Sequence, residues 1–194
     1  MNAKTYPMNR KQTGFTLTEL MITLAVAAIL LSQAVPSFLT MLQDNRIVTQ
    51  ANDFVTSLNV ARSEAVKRGD RVTICKSANN TSCAGGGDWQ QGWIIFTDSN
   101  SDATVNNTDE ILRTHGSLDS NLTLSGVIGS VTSYVSYTNN GSSQIVGGGG
   151  AQTGTIVLCD SRGFGDKARA IVINASGQIR TAPANDATVS ATSC

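Results

Sequence analysis

Four cysteines, at positions 75, 83, 159 and 194, are the side chains of this 194-residue sequence best suited to covalent chemistry. An even count of thiols serves disulfides in an oxidising compartment or a structural zinc in a reducing one. No pair has the C-x-x-C spacing of a zinc site, and no His is nearby, so disulfides are expected. Four cysteines allow three pairings. The expected one joins Cys75 to Cys83, closing a small loop, and Cys159 to Cys194, stapling the C-terminal tail to a core strand. Asp98, Asn100 and Asp102 alternate and are followed by Asp109, a set of hard oxygen donors that suits Ca²⁺. Ala103 stands where such a loop needs Gly, and Glu110 comes one position late. The segment therefore reads first as a solvated loop and only second as a calcium site. Arg162, Lys167, Arg169 and Arg180 face only Asp160 and Asp166, a local cationic excess of the kind that contacts phosphates. Lys167, Arg169 and Arg180 are the candidate phosphate contacts. Catalysis finds less support. The single His115 lacks a Ser or Cys nucleophile motif, and Gly147–Gly150 lacks the Lys-Ser/Thr of a phosphate loop. Neither an enzyme nor a cofactor is expected.

The elements that must position these residues begin with the N-terminus. Residues 1–14 carry Lys4, Arg10 and Lys11 and no acid. From Phe15 to Val35 the chain is apolar, and as a helix this stretch would reach about 31 Å, a bilayer's hydrocarbon thickness. The basic flank stays on the cytoplasmic side, so everything after Pro36 is expected to be exported. The one charge inside is Glu19, costly there unless paired, and so a functional candidate. Ser32-Gln33-Ala34 also makes a passable signal-peptide cleavage site, so a secretory signal and a plain signal anchor compete for this segment.

Beyond Pro36 the helical pattern continues. Ile47, Ala51, Phe54, Leu58, Ala61 and Ala65 recur at three- and four-residue steps and mark one apolar face. Lys67-Arg68-Gly69 supplies cations at the negative helix end and then a residue able to turn left-handed. Phe15 to Arg68 is expected to be one helix of roughly 80 Å, kinked at Pro36. Short β-branched runs follow, at Val72–Lys76, Trp93–Thr97, Glu110–Thr114, Leu122–Leu124, Tyr134–Thr138, Thr155–Asp160, Ala170–Asn174 and Gln178–Thr181. Ser176-Gly177 predicts a hairpin between the last two, and Asn140-Gly141 another turn. Trp89 and Trp93 read as core. The fold class is α+β: one long helix covering an antiparallel sheet.

Gly14-Phe15-Thr16-Leu17-Thr18-Glu19, behind a short basic leader, resembles the cleavage motif of type IV prepilins and type II secretion pseudopilins. Pro36 stands where that family has its helix-kinking proline. Ala61–Arg68 leading into Val72-Thr73-Ile74-Cys75, then Asp88–Asp98, Ile111-Leu112-Arg113 and Gly163–Ile173, narrow the resemblance to the GspH/FimT subfamily, its FimU and FimT minor-pilin branch included. The resemblance is loosest across residues 115–155.

The resemblance implies a leader, residues 1–14, removed by a membrane prepilin peptidase that cuts after Gly14 and N-methylates Phe15. It implies a transmembrane or filament-core segment, 15–36, and a periplasmic domain, 37–194, whose first part is the amphipathic helix 37–68. Glu19 would serve subunit assembly. The implied role is a minor pilin priming pilus assembly at the tip with other minor pilins and the major pilin, starting from the bacterial inner membrane. A DNA-binding minor pilin and a type II secretion pseudopilin are the alternatives. DNA-uptake relatives use a Gly-Arg-x-Arg element, and Gly177-Gln178-Ile179-Arg180 here lacks its first arginine. Charge points the same way. The whole chain balances 14 basic against 14 acidic residues, but three basic ones lie in the leader, leaving 11 against 14 on the mature chain. A mildly acidic surface disfavours DNA except at a local patch.

Overall fold

One helix, α1 (Leu17–Arg68), crosses the boundary between the two units into which the chain divides, residues 1–42 and 43–194. The computed structural model describes residues 14–189 and 191–194. The leader residues 1–13, with Lys4, Arg10 and Lys11, lie outside the described residues.

In the first unit α1 begins two residues later than the sequence pattern places it, and the cause is a cap. The Thr16 hydroxyl accepts the Glu19 N–H at 3.2 Å, and the Thr16 carbonyl accepts the Leu20 N–H at 3.1 Å. Thr16 is thus the N-cap, which leaves Phe15 outside the helix. Every described residue up to Leu42 is exposed, including Phe15 at 85% and Leu30 at 65%. An 18-residue window of this helix has a mean hydropathy of 2.0, and none of it is buried among the described residues. Its hydroxyls are turned back onto the backbone: Thr23 donates to Leu20, Ser32 to Ile29 and Thr40 to Pro36 carbonyls. Such bonds remove polar groups that would otherwise ask for water. The helix runs continuously through Pro36.

In the second unit α1 buries Ile47, Ala51, Phe54, Leu58, Ala61 and Ala65, a stripe set by helical periodicity. It stops at Gly69, whose φ of +69° suits a residue without Cβ and whose N–H closes on Ala65 O at 3.0 Å. Eight strands follow: β1 (Val72–Lys76), β2 (Trp93–Thr97), β3 (Ile111–His115), β4 (Thr123–Gly129), β5 (Tyr134–Tyr137), β6 (Gly154–Cys159), β7 (Arg169–Ile173) and β8 (Ile179–Pro183). All eight expected strands are present. The largest displacement is β4, which continues past Leu124 through Gly126 to Gly129 despite its glycines.

The expected antiparallel layer is present and divides into two sheets, with strand orders β3-β2-β1-β5 and β4-β6-β7-β8, every pairing antiparallel. The chain leaves the first sheet at β4, returns for β5, and leaves again at β6. Local propensity is silent on such switches, because partner choice is made by packing across the core. One core joins the inner faces, with Phe54 and Leu58 of α1 meeting Trp93 and Ile95 of one sheet and Ile156, Leu158 and Ile171 of the other. Trp89 and Trp93 are buried against Phe54, ring centroids 5.2 and 4.9 Å away, both edge-to-face. Each outer face carries its own small apolar cluster. Cys75, Ile94 and Phe96 lie under Cys83 and Val105 on the first sheet; Val157, Cys159 and Ala170 lie under Ala184 and Val189 on the second. Strands covered on both faces lose the in-out alternation, which is why β1 is buried throughout.

Candidate functional site

The Gly14–Phe15 bond lies ahead of the helix, in non-helical backbone with nothing within 4 Å of a Cβ at Gly14. A protease requiring extended substrate meets no helical hydrogen bond there. Glu19 sits in the first turn of α1, exposed, where its charge faces the positive helix end. Thr16-Leu17-Thr18-Glu19 is also a T-x-x-E capping sequence, a second reason for an acid at that place.

The cysteines are joined as Cys75–Cys83 and Cys159–Cys194, with Cα separations of 5.6 and 6.0 Å. Each bridge runs from an inner strand, β1 or β6, to the segment covering that sheet's outer face. The second holds the last residue of the chain.

The four cations do not gather into one patch: two meet at a helix acid and two lie apart. Arg162 donates to Asp160 and, at 2.5 Å, to Asp44 of α1, which also takes Lys167 at 3.3 Å. The Arg162 hydrogen bonds hold both carboxyls below the usual range, and the carboxylates push Arg162 up. Two cations are therefore neutralised by helix and loop acids. Arg169 and Arg180 remain, on opposite faces of the second sheet. Arg180 pairs with Val172 in the register, three positions from Arg169, and alternation then places the two apart. Arg180 donates to the Thr188 hydroxyl at 3.1 Å.

The 98–109 loop is organised by its own hydrogen bonds. Asp98 is buried and accepts the Thr73 hydroxyl at 2.7 Å and the N–H groups of Asp102 and Ala103 at 3.0 and 3.2 Å. Burial pushes its carboxyl up against the lowering by those donors. Asn100 donates to Asp102 at 2.7 Å, and Asp109 accepts the Asn106 N–H. Among the described residues no three His, Cys, Asp or Glu side chains converge as a metal cluster. His115 lies flat on Trp93, centroids 3.9 Å apart, its Nδ1–H donating to Gly116 O at 2.7 Å.

Sequence reasoning passed over Arg62. Its guanidinium donates to Gly141 O at 2.8 Å and Ser176 O at 3.1 Å, tying both expected glycine turns to α1. At Gly177 the requirement for glycine is steric: a Cβ there would fall 2.1 Å from Gly141 O. The two turn signals were visible in sequence, but that they touch was not. Arg71 was likewise missed; it reaches Ser136 and Gln144 beside the buried Thr73–Asp98 pair.

Two family profiles match the chain. One, described as type II transport protein GspH, covers residues 50–177; the other, the prokaryotic N-terminal methylation motif, covers residues 9–32. No curated protein matches. Among solved structures, the crystal structure of the type IV minor pilin FimU of Pseudomonas aeruginosa (strain PAO1) is similar. It has 23% identity and a TM-score of 0.53 over 72% of this chain and 90% of that one. A second crystal form of the same protein aligns at 20% identity and a TM-score of 0.48, over 70% and 91%. At 23% identity the likeness establishes a shared, pilin-like fold.

Proposed function

The chain belongs to the GspH family, and from that premise we propose that this pilin-like structural subunit is a minor pilin of a type IV pilus, helping to prime assembly at the tip. The observation that carries this reading is the first half of α1, a helical stretch of apolar side chains exposed throughout with Glu19 as its one charge. Such a surface needs apolar surroundings, and a bilayer and a bundle of neighbouring helices both supply them. The leader is cut after Gly14 by a prepilin peptidase, which then methylates Phe15. The subunit waits in the inner membrane with residues 37–194 in the periplasm, and then enters the filament. There Glu19 pairs with the Phe15 amine of a neighbouring subunit, offsetting a carboxylate left among apolar groups. Pro36, which cannot donate to the Ser32 carbonyl, is the place where the helix adjusts its path.

The test is the mature N-terminus. Mass spectrometry of the chain from its native membrane is expected to find N-methyl-Phe15, while a chain beginning at Val35 would mean ordinary signal cleavage and end the pilin reading. The family's description as a type II transport protein favours a second reading, a pseudopilin of that secretion system. A gene deletion separates the two, since loss of surface pili with secretion intact supports the first. DNA uptake is the weaker alternative, because Arg162 and Lys167 are committed to Asp44 and Asp160.

A further inference from the structure

We propose that Asn121 is an acceptor for N-linked glycosylation. The acceptor pattern Asn-x-Ser/Thr occurs six times, at Asn79, Asn80, Asn106, Asn121, Asn140 and Asn174. An acceptor must offer a freely turning carboxamide and a free hydroxyl two residues on, and five of the six do not. Asn79 Oδ1 accepts the N–H groups of Thr81 and Ser82, both at 3.0 Å. Asn106, Asn140 and Asn174 each accept the very hydroxyl of their own motif, from Thr108 at 2.6, Ser142 at 2.6 and Ser176 at 2.7 Å. Asn80 sits at φ +61° inside the Cys75–Cys83 loop, and its partner hydroxyl, Ser82, is taken by Asn79 at 2.9 Å.

Asn121 differs on every count. Neither its carboxamide nor the Thr123 hydroxyl makes a hydrogen bond among the described residues, and both residues are exposed. Leu122 between them is 6% exposed and donates its N–H to Asp119 O at 2.9 Å, so a turn anchored inward presents its two neighbours outward. Asp119, two residues before, gives this motif an acid that none of the other five has at that place, a charged handle for an enzyme. The acceptor also opens on a polar groove of about 340 Å³ lined by Gln43, Arg46, Ser120, Asp160 and Ser161. Amide, guanidinium, hydroxyl and carboxylate groups together match the mixed donors and acceptors of a sugar.

The donor is a lipid pyrophosphate-linked oligosaccharide presented by a membrane transferase. Asn121 Nδ2 attacks the sugar C1, forming the C–N bond as the C1–O bond breaks. The lipid pyrophosphate leaves with the bonding pair, and Nδ2 gives its proton to a base of the transferase. The modification requires the exported side assigned under Proposed function.

The full chain, co-produced with a bacterial periplasmic oligosaccharyltransferase and its lipid-linked glycan, is analysed by intact mass and fragmentation mapping. One glycan on Asn121 is expected. Asn121→Gln and Thr123→Val should abolish it, Asp119→Ala should lower occupancy at least tenfold, and Asn80→Gln and Asn140→Gln should leave it unchanged. Unmodified Asn121 in a chain whose Cys75–Cys83 bond has formed, or a glycan on another Asn instead, would overturn the assignment. Free thiols at 75 and 83 would show that export itself had failed, and the acceptor role with it.

Discussion

Leu30 and Leu58 belong to the same continuous helix, yet the first is 65% exposed and the second is sealed in the core. Helix α1 is thus two surfaces on one backbone. From Leu17 to Leu42 it is apolar on all sides and exposed among the described residues, whereas from Gln43 to Arg68 an apolar stripe packs inward and a polar side faces out. An all-round apolar helix finds its burial outside the polypeptide; a striped one finds it inside. The first half therefore answers to assembly and the second to folding, and substitutions should separate the two.

The largest contrast should come from truncating one apolar side chain in each half. Phe54→Ala removes the ring that both tryptophans meet and should cost the domain about 3–5 kcal/mol in denaturant unfolding. Leu30→Ala, in detergent, should leave that unfolding unchanged while weakening incorporation into filaments. Equal losses from both would break the division of roles. Next come the two bridges, both in the second unit. The Cys159–Cys194 loop spans 35 residues, and Cys194→Ser should cost about 4 kcal/mol by the chain-entropy relation. Cys83→Ser opens a span of only 8 and should cost about 2.5 kcal/mol. Hydrogen exchange should show the loss confined to the outer face each bridge covers.

Arg62→Met sharpens the polar side of the comparison. It removes two charge-assisted bonds to the Gly141 and Ser176 carbonyls and should cost about 2 kcal/mol, read as a lower Tm. Thr40→Val in the first half loses only a bond within its own helix and should not move the domain's Tm. The smallest effect concerns acid. Asp44 and Asp160 titrate below the ordinary 3.8 in the folded domain, so their contribution is present above that value and fades as pH falls through their folded values. Asp98 is raised by burial, so its protonation relieves a penalty over falling pH and works in the opposite sense. Asp44→Asn should therefore flatten the Tm–pH curve below about pH 4.

Much of the fold was legible because it is local. The apolar stripe of α1 is periodicity alone, and Gly69 marks its end because the stop needs a positive φ. Seven of the eight strands lie within one or two residues of their β-branched runs at both ends. The exception is β4, which extends through glycines that propensity reads as a break, while β8 gains Pro183 at a sheet edge, where a missing N–H costs nothing. The cations near the C-terminus read differently in three dimensions for a related reason. Counting Arg162, Lys167, Arg169 and Arg180 along the chain ignores Asp44, which is more than a hundred residues away in sequence but bonded to two of them.

By itself the sequence determined what depends on neighbours along the chain: the helix and its two characters, the Gly14–Phe15 junction and the turns. Tertiary structure alone decided the split into two sheets, the meeting of Gly141 with Gly177 under Arg62, and the neutralisation of the C-terminal cations. It also decided which of six Asn-x-Ser/Thr motifs keeps both its amide and its hydroxyl free among the described residues. The reason is the same throughout: periodicity and capping act over a few residues, whereas partner choice is made between segments brought together by burial.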